Sequence, residues 1–247
     1  MEYENQNHAY KIEKILGYDN MDKHEFEKTF WYFYLELEHE FLEIEKTIPI
    51  DDLNSKTFSY KYLKLLESIC GEIDVIFKRF LEFHDTTGSS IRCYETFIEE
   101  YIPTFKNDEL TCYSPRYDNK KVYPFKNWNQ NNPPHWWTIN NKLKHRRDEL
   151  DNNNEYEWYK HANQENVLNA LGGLFQLNLH LFKEIINNED EIESFDVPLP
   201  TSQIFRLENW GDYYEYLIGN YSIIGPLNKI FTEFVKKINK ENNDNEV

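Results

Sequence analysis

Two runs of apolar side chains recur at every third or fourth position, and this period constrains the fold more than any other feature. From Lys23 to Lys46 the series is Phe26, Phe30, Phe33, Leu37, Phe41 and Ile44. Between Phe58 and His84 it is Tyr62, Leu65, Leu66, Ile69, Ile73, Ile76, Phe77 and Phe80. An α-helix turns once in about 3.6 residues, so each series forms a stripe on one helix face that must be buried against another element. Pro49 closes the first segment, and Thr86-Thr87-Gly88-Ser89-Ser90 breaks the chain after the second.

The same logic predicts a third helix from Ile91 to Tyr101, a fourth over His135 to Leu150 after Pro133-Pro134, and a fifth over His161 to Asn187. Gly172-Gly173 inside the fifth suits the close approach of another helix. Between the third and fourth helices, Tyr113, Val122, Tyr123 and Phe125 flank the turn-like Tyr117-Asp118-Asn119-Lys120, which predicts a short β-hairpin or an ordered loop. The expected fold class is all-α. Residues 1–190 form a helical bundle with a small irregular or β-hairpin insertion near 104–134. An acidic linker, Asn188 to Ser194, leads to Val197-Pro198-Leu199-Pro200. Residues 191–247 are expected to be a helical extension packed on the bundle, with a last amphipathic helix opened by Pro226 and a frayed tail.

Composition enters where the core has to be built. Mean hydropathy is low at −0.80, yet 17% of residues are aromatic, and aromatic rings bury large areas each. Three cysteines, Cys70, Cys93 and Cys112, cannot all pair and none lies in a Cys-x-x-Cys spacing. With no apolar run of transmembrane length and no apolar segment after Met1, a reducing cytoplasm is the expected compartment.

The formal net charge of −17 disfavours membranes and duplex DNA, whose non-specific binding depends on surplus basic charge. Against that background Lys142-Leu143-Lys144-His145-Arg146-Arg147 stands out as a local basic cluster. Trp136, Trp137, Ile139 and Leu143 can anchor one face of its helix, leaving Asn141, Lys144, His145, Arg146 and Arg147 for a site. Histidine moves protons near neutral pH, and Lys or Arg stabilises charge on a phosphate. The plainer alternative is a solvated helix end whose cations favour the helix dipole and offset Asp148 and Glu149.

Asn141-Lys142-Leu143-Lys144-His145-Arg146-Arg147, followed by Ala162, Asn166, Val167, Leu168, Asn169, Ala170, Leu171 and Leu174, resembles a segment of bacterial HEPN-like helical proteins. That resemblance implies a HEPN-like bundle from a toxin–antitoxin, abortive-infection or other antiviral defence system, commonly a homodimer. It implies an RNA-binding effector acting as a metal-independent endoribonuclease without cofactor. His145 would handle protons, Arg147 and Lys144 would hold phosphate, and Asn141 with Arg146 would help to bind. The superfamily's catalytic signature places Arg before His, whereas around His145 the order is reversed. The forward match is Arg79-Phe80-Leu81-Glu82-Phe83-His84, so Arg79 and His84 form the alternative catalytic pair. The rival implication is a non-catalytic interaction or sensor protein of such a system, binding RNA or a phage-derived trigger.

Glu36-Leu37-Glu38-His39 has the Glu-x-x-His spacing of a metal ligand pair, but no second copy exists, so no metal is expected. Phe30 to Tyr34 and Tyr213 to Tyr216 are aromatic clusters that suit a core or an interface better than base stacking. Walker, Rossmann and Gly-x-Ser-x-Gly signatures are absent from the sequence.

Overall fold

The computed structural model describes residues 21–84, 86–187, 197–208, 210, 213–218 and 221–226. Within them the chain is predominantly helical. Helix α1 begins as Lys23–Phe26, passes through a π-helical segment Glu27–Trp31, and continues as Tyr32–Glu45. It is followed by α2 (Tyr60–Phe83), α3 (Ile91–Tyr101), α4 (His135–Arg146) and α5 (Gln164–Asn187). The starts of α1, α2 and α3 are capped by Asp22, Ser59 and Ser90, whose side-chain oxygens accept the N–H of Glu25, Tyr62 and Cys93 at 2.8, 3.1 and 3.3 Å.

The two apolar stripes share one core with Leu168, Leu171, Leu174 and Phe175, as their common period predicts. One position differs. Phe33 is 45% exposed and Tyr34 is fully buried in its place. A π-turn bonds i to i+5, so the segment just before Tyr32 rotates the helix register and presents Tyr34 inward. Helix α5 is buried nearly all round its middle turns and is therefore central, packed along α2 and also touching α1 and α4.

The insertion contains the expected hairpin. Strands β1 (Leu110–Cys112) and β2 (Lys121–Val122) pair antiparallel, with Leu110 opposite Val122. Asp118 and Asn119 both take φ of 52°, the left-handed backbone that hairpin turns use and that Asp and Asn tolerate. A third strand, β3 (Phe205–Leu207), pairs antiparallel with β1, giving the sheet order β2-β1-β3. The glycines of α5 serve this insertion and not a helix pair. A Cβ on Gly172 would stand 2.9 Å from Leu110 Cδ1, and one on Gly173 would stand 3.2 Å from the Phe125 ring.

Two helix bounds differ from those read in the sequence. Helix α4 stops at Arg146 and not at Leu150, because the N–H groups of Tyr159 and Trp158 bond to the carbonyls of Arg147 and Glu149 (3.1 and 3.0 Å). Helix α5 starts at Gln164 and not at His161, since Trp158–His161 is a 3-10 turn and the Asn163 side chain accepts the N–H of Asn166 at 3.1 Å. In the extension that was expected to be helical, β3, β4 (Tyr213–Ile218) and β5 (Tyr221–Pro226) are strands, the last two forming an antiparallel hairpin. Tyr213-Tyr214-Glu215-Tyr216-Leu217-Ile218 is rich in aromatic residues that favour strands, and Pro226 closes β5 instead of opening a helix. The acidic linker, the expected last helix and the tail lie outside the described residues.

Segment 197–208 is bound to α1. The indole N–H of Trp31 donates to the Pro200 carbonyl at 2.8 Å, and buried Glu38 accepts from Ser202, Gln203 and Ile204. No helix among the described residues is long and apolar enough to cross a membrane.

Candidate functional site

Helix α4 is pinned along one face. Its first residue follows Pro134, and Trp136 donates its indole N–H to the Pro124 carbonyl at 2.8 Å, while Trp137, Ile139 and Leu143 are buried. This fixes the opposite end, where Lys144, His145, Arg146 and Arg147 are all exposed. The Arg147 Nε donates to the Leu143 carbonyl at 3.2 Å, and its Nη2 reaches Glu67 on α2 at 3.3 Å. Arg146 turns to Glu149 at 3.4 Å. Lys144 and His145 make no ion pair or hydrogen bond with the described residues, and neither does exposed Asn141.

Successive helical residues are turned by about 100°, so His145 and Arg147 leave the axis on nearly opposite sides. Lys144 and Arg147 share the side facing α2, where Lys144 is near enough for its charge to act on Cys70. The structure therefore gathers Lys144 and Arg147 and separates His145 and Arg146 from them. Asn140, one turn before Lys144, is buried, and among the described residues neither its amide nitrogen nor its oxygen has a hydrogen-bond partner.

Arg79 and His84 are also not brought together. Arg79 bonds to Glu82 at 3.0 Å and lines a shallow groove between α1 and α2 with Phe33, Glu36 and Glu72. His84, at the C-terminal end of α2, lies on another face against the rings of Phe97 and Tyr101, 3.6 Å from Glu184 of α5. Burial pulls its imidazole below the usual pKa. Glu36 and His39 are both exposed, and His39 faces Glu43 at 3.7 Å. No three metal-ligating side chains converge among the described residues.

Two other groupings were not anticipated. Beside His84, a cleft of about 730 Å³ is lined by Tyr101, Asp108, His180, Lys183, Glu184 and Trp210, among others. Asp108 accepts from Gln176 and lies 3.1 Å from His180 Nε2, while burial pushes the Glu184 carboxyl up to about 7. The spacing of Gln176, His180 and Glu184, four residues apart on one helix, was a usable signal for it. A second cleft, of about 490 Å³, joins α4 to the start of α2 and is lined by Tyr60, Lys64, Glu67, Arg147, Glu157 and Tyr159 among others. Compared with known proteins, the chain matches no family model, no curated protein and no solved structure.

Proposed function

We propose that the protein is a non-catalytic helical interaction module whose contact surface is the basic end of α4, directed at an anionic partner. The observation that carries this is the geometry of the four adjacent basic residues, Lys144 to Arg147. Among the described residues exposed Lys144 and His145 have no ion pair or hydrogen bond, Arg147 is braced on Glu67, and no reacting point is shared by His145 and Arg147. Catalysis of phosphoryl chemistry needs acid, base and charge stabiliser within hydrogen-bond reach of one site. A binding surface needs only charge held in place.

The resemblance to HEPN-like proteins supplies the setting: a cytoplasmic component of a phage-defence or toxin–antitoxin system, working as a homodimer. Tyr32, Phe33 and Val75, exposed along the α1–α2 groove, offer an apolar face for that dimer, and light scattering tests it. The endoribonuclease alternative is separated by one assay. Labelled RNA incubated with the protein and excess EDTA should stay intact, and Lys144→Glu with Arg146→Glu should abolish retention on immobilised polyphosphate. Cleavage by the wild type that disappears in His145→Ala would overturn the module in favour of the nuclease.

A further inference from the structure

The cleft of about 730 Å³ beside His84 lies where four stretches of chain meet: the end of α3, the segment entering β1, the C-terminal turns of α5 and the residues after β3. None of its lining belongs to α4, so it stands apart from the basic contact surface. A volume of this order is that of small-molecule sites.

Its charge is lopsided. Four carboxylates, Asp108, Glu109, Glu184 and Glu208, line it against one lysine, Lys183. Two of the four are answered by a residue outside the lining, because Lys121 bridges Glu109 at 2.9 Å and Glu208 at 3.1 Å. Lys183 does not answer the others. Its ammonium lies over the Trp210 ring, 4.7 Å from the centroid, and it has no ion pair among the described residues. Helix α3 ends at Tyr101 beside these carboxylates, and a helix C-terminus carries about half a negative charge of its own.

Asp108 is fixed through one oxygen. Its Oδ2 takes the Gln176 amide N–H at 3.1 Å and lies 3.1 Å from His180 Nε2. Burial lowers the pKa of His180 and disfavours its charged form, so the imidazole orients the carboxylate more than it neutralises it. The other oxygen, Oδ1, has no hydrogen bond among the described residues. Glu184 lies one turn beyond His180 on the same face of α5, about 6 Å along the helix. Burial pushes its carboxyl up to about 7, and a ligand that brings positive charge offsets the cost of ionising it. Two carboxyl groups one turn apart suit a single group with several N–H donors. A metal ion needs more, and no three metal-ligating side chains converge among the described residues.

We propose that this cleft binds a small organic ammonium ion, its N–H groups received by Asp108 and Glu184 and its carbon skeleton laid against Tyr101 and Ile102. The proposal adds a small-molecule site to the interaction module and does not depend on the basic end of α4.

The test is calorimetric titration of the full chain at about pH 8, where the Glu184 carboxyl is mostly ionised. The probes, matched in ionic strength, are n-butylammonium, its neutral counterpart n-butanol, tetramethylammonium and Mg²⁺. n-Butylammonium should bind with a millimolar Kd, and n-butanol should give no heat of binding. Tetramethylammonium carries the charge without N–H donors and should bind about tenfold more weakly, and Mg²⁺ should not displace n-butylammonium. Glu184→Gln keeps the shape and removes the charge, so it should weaken n-butylammonium about tenfold while leaving retention on polyphosphate as in wild type. Asp108→Asn should weaken it to a similar degree, with circular dichroism checking that the variant is folded; if it is not, Glu184→Gln decides alone. n-Butanol or tetramethylammonium bound as tightly, displacement by Mg²⁺, or unchanged n-butylammonium affinity in Glu184→Gln overturns the proposal. So does the absence of n-butylammonium binding up to about 20 mM.

Discussion

The carboxylate of Glu38, buried in the middle of α1, accepts the backbone N–H of Gln203 at 2.8 Å. The same carboxylate takes the Tyr34 hydroxyl at 2.7 Å, the Ser202 hydroxyl, and the N–H of Ile204 at 3.3 Å. Burial pushes its pKa up, and the donors from Gln203 and Ser202 pull it back. This one side chain therefore serves as the anchor of segment 197–208 and sets where β3 can meet β1. Glu38→Ala strands several buried donors at once and should destabilise the fold by about 3 kcal/mol. Glu38→Gln keeps an acceptor and should lose less. Urea titration reads both, and a midpoint for Glu38→Ala equal to wild type would remove the anchor role.

Two helix glycines, one on α2 and one on α5, should respond in opposite directions. Among the described residues Gly71 on α2 has nothing within 4 Å of a Cβ, so Gly71→Ala gains helix propensity alone, about 1 kcal/mol. At Gly173 a Cβ would press on the Phe125 ring, which is itself hemmed in by Phe105, Trp128 and Trp136. That ring has no room to yield, so Gly173→Val should destabilise by about 2 kcal/mol. For a chain of this size the melting temperatures should shift by about +3 °C and about −6 °C. Shifts of the same sign in both variants would refute the close packing of α5 on the insertion.

Much of the helical core was legible, because a stripe such as Tyr62 to Phe80 needs only local order in the sequence to betray a helix. The Asp118-Asn119 turn was legible for the same reason, since its backbone demand is met by the residues themselves. What escaped was whatever depends on a distant partner. Phe205–Leu207 is too short to carry a strand signal, and it is a strand only because Leu110 to Cys112 lies beside it. The displacement of Phe33 by Tyr34 follows from a π-turn that no periodic count reveals. At the site, the four adjacent basic residues were visible as a run, whereas Tyr60 meets Tyr159 only in three dimensions, as His180 meets Asp108.

The three cysteines offer a direct check on packing. Cys70 and Cys112 are buried, and burial pushes the Cys112 thiol up to about 12, so neither should form a reactive thiolate near neutral pH. Cys93 is partly exposed and accepts a hydrogen bond from the Ser90 hydroxyl at 3.1 Å. A thiol reagent should modify one cysteine in the native protein and all 3 after denaturation. Fast native labelling of Cys70 or Cys112 would mean that the core opens far more readily than this packing allows.

Glu184 should give the fold a pH dependence of uncommon sign. Burial raises its carboxyl from the usual value of 4.5 to about 7, so the folded chain holds a proton that the unfolded chain has released. Stability from this group is full below about pH 4.5 and is lost as pH rises through about 7. The contact with His84 at 3.6 Å does not reverse this, because burial lowers the pKa of that imidazole and disfavours its charged form. The other titratable groups facing the cleft are Tyr101, Asp108, Glu109, His180, Lys183 and Glu208, and burial lowers the pKa of His180 as well. Both histidines favour the fold as pH rises toward 6.5, which opposes Glu184 and would mask it in the wild-type curve alone. The comparison with Glu184→Gln isolates it. Between about pH 4.5 and about pH 8 the variant should gain on wild type by on the order of 2 kcal/mol, after allowance for partial solvent access. Denaturation curves that run parallel over that range would show that Glu184 ionises normally and that the cleft is more open to water than its lining implies.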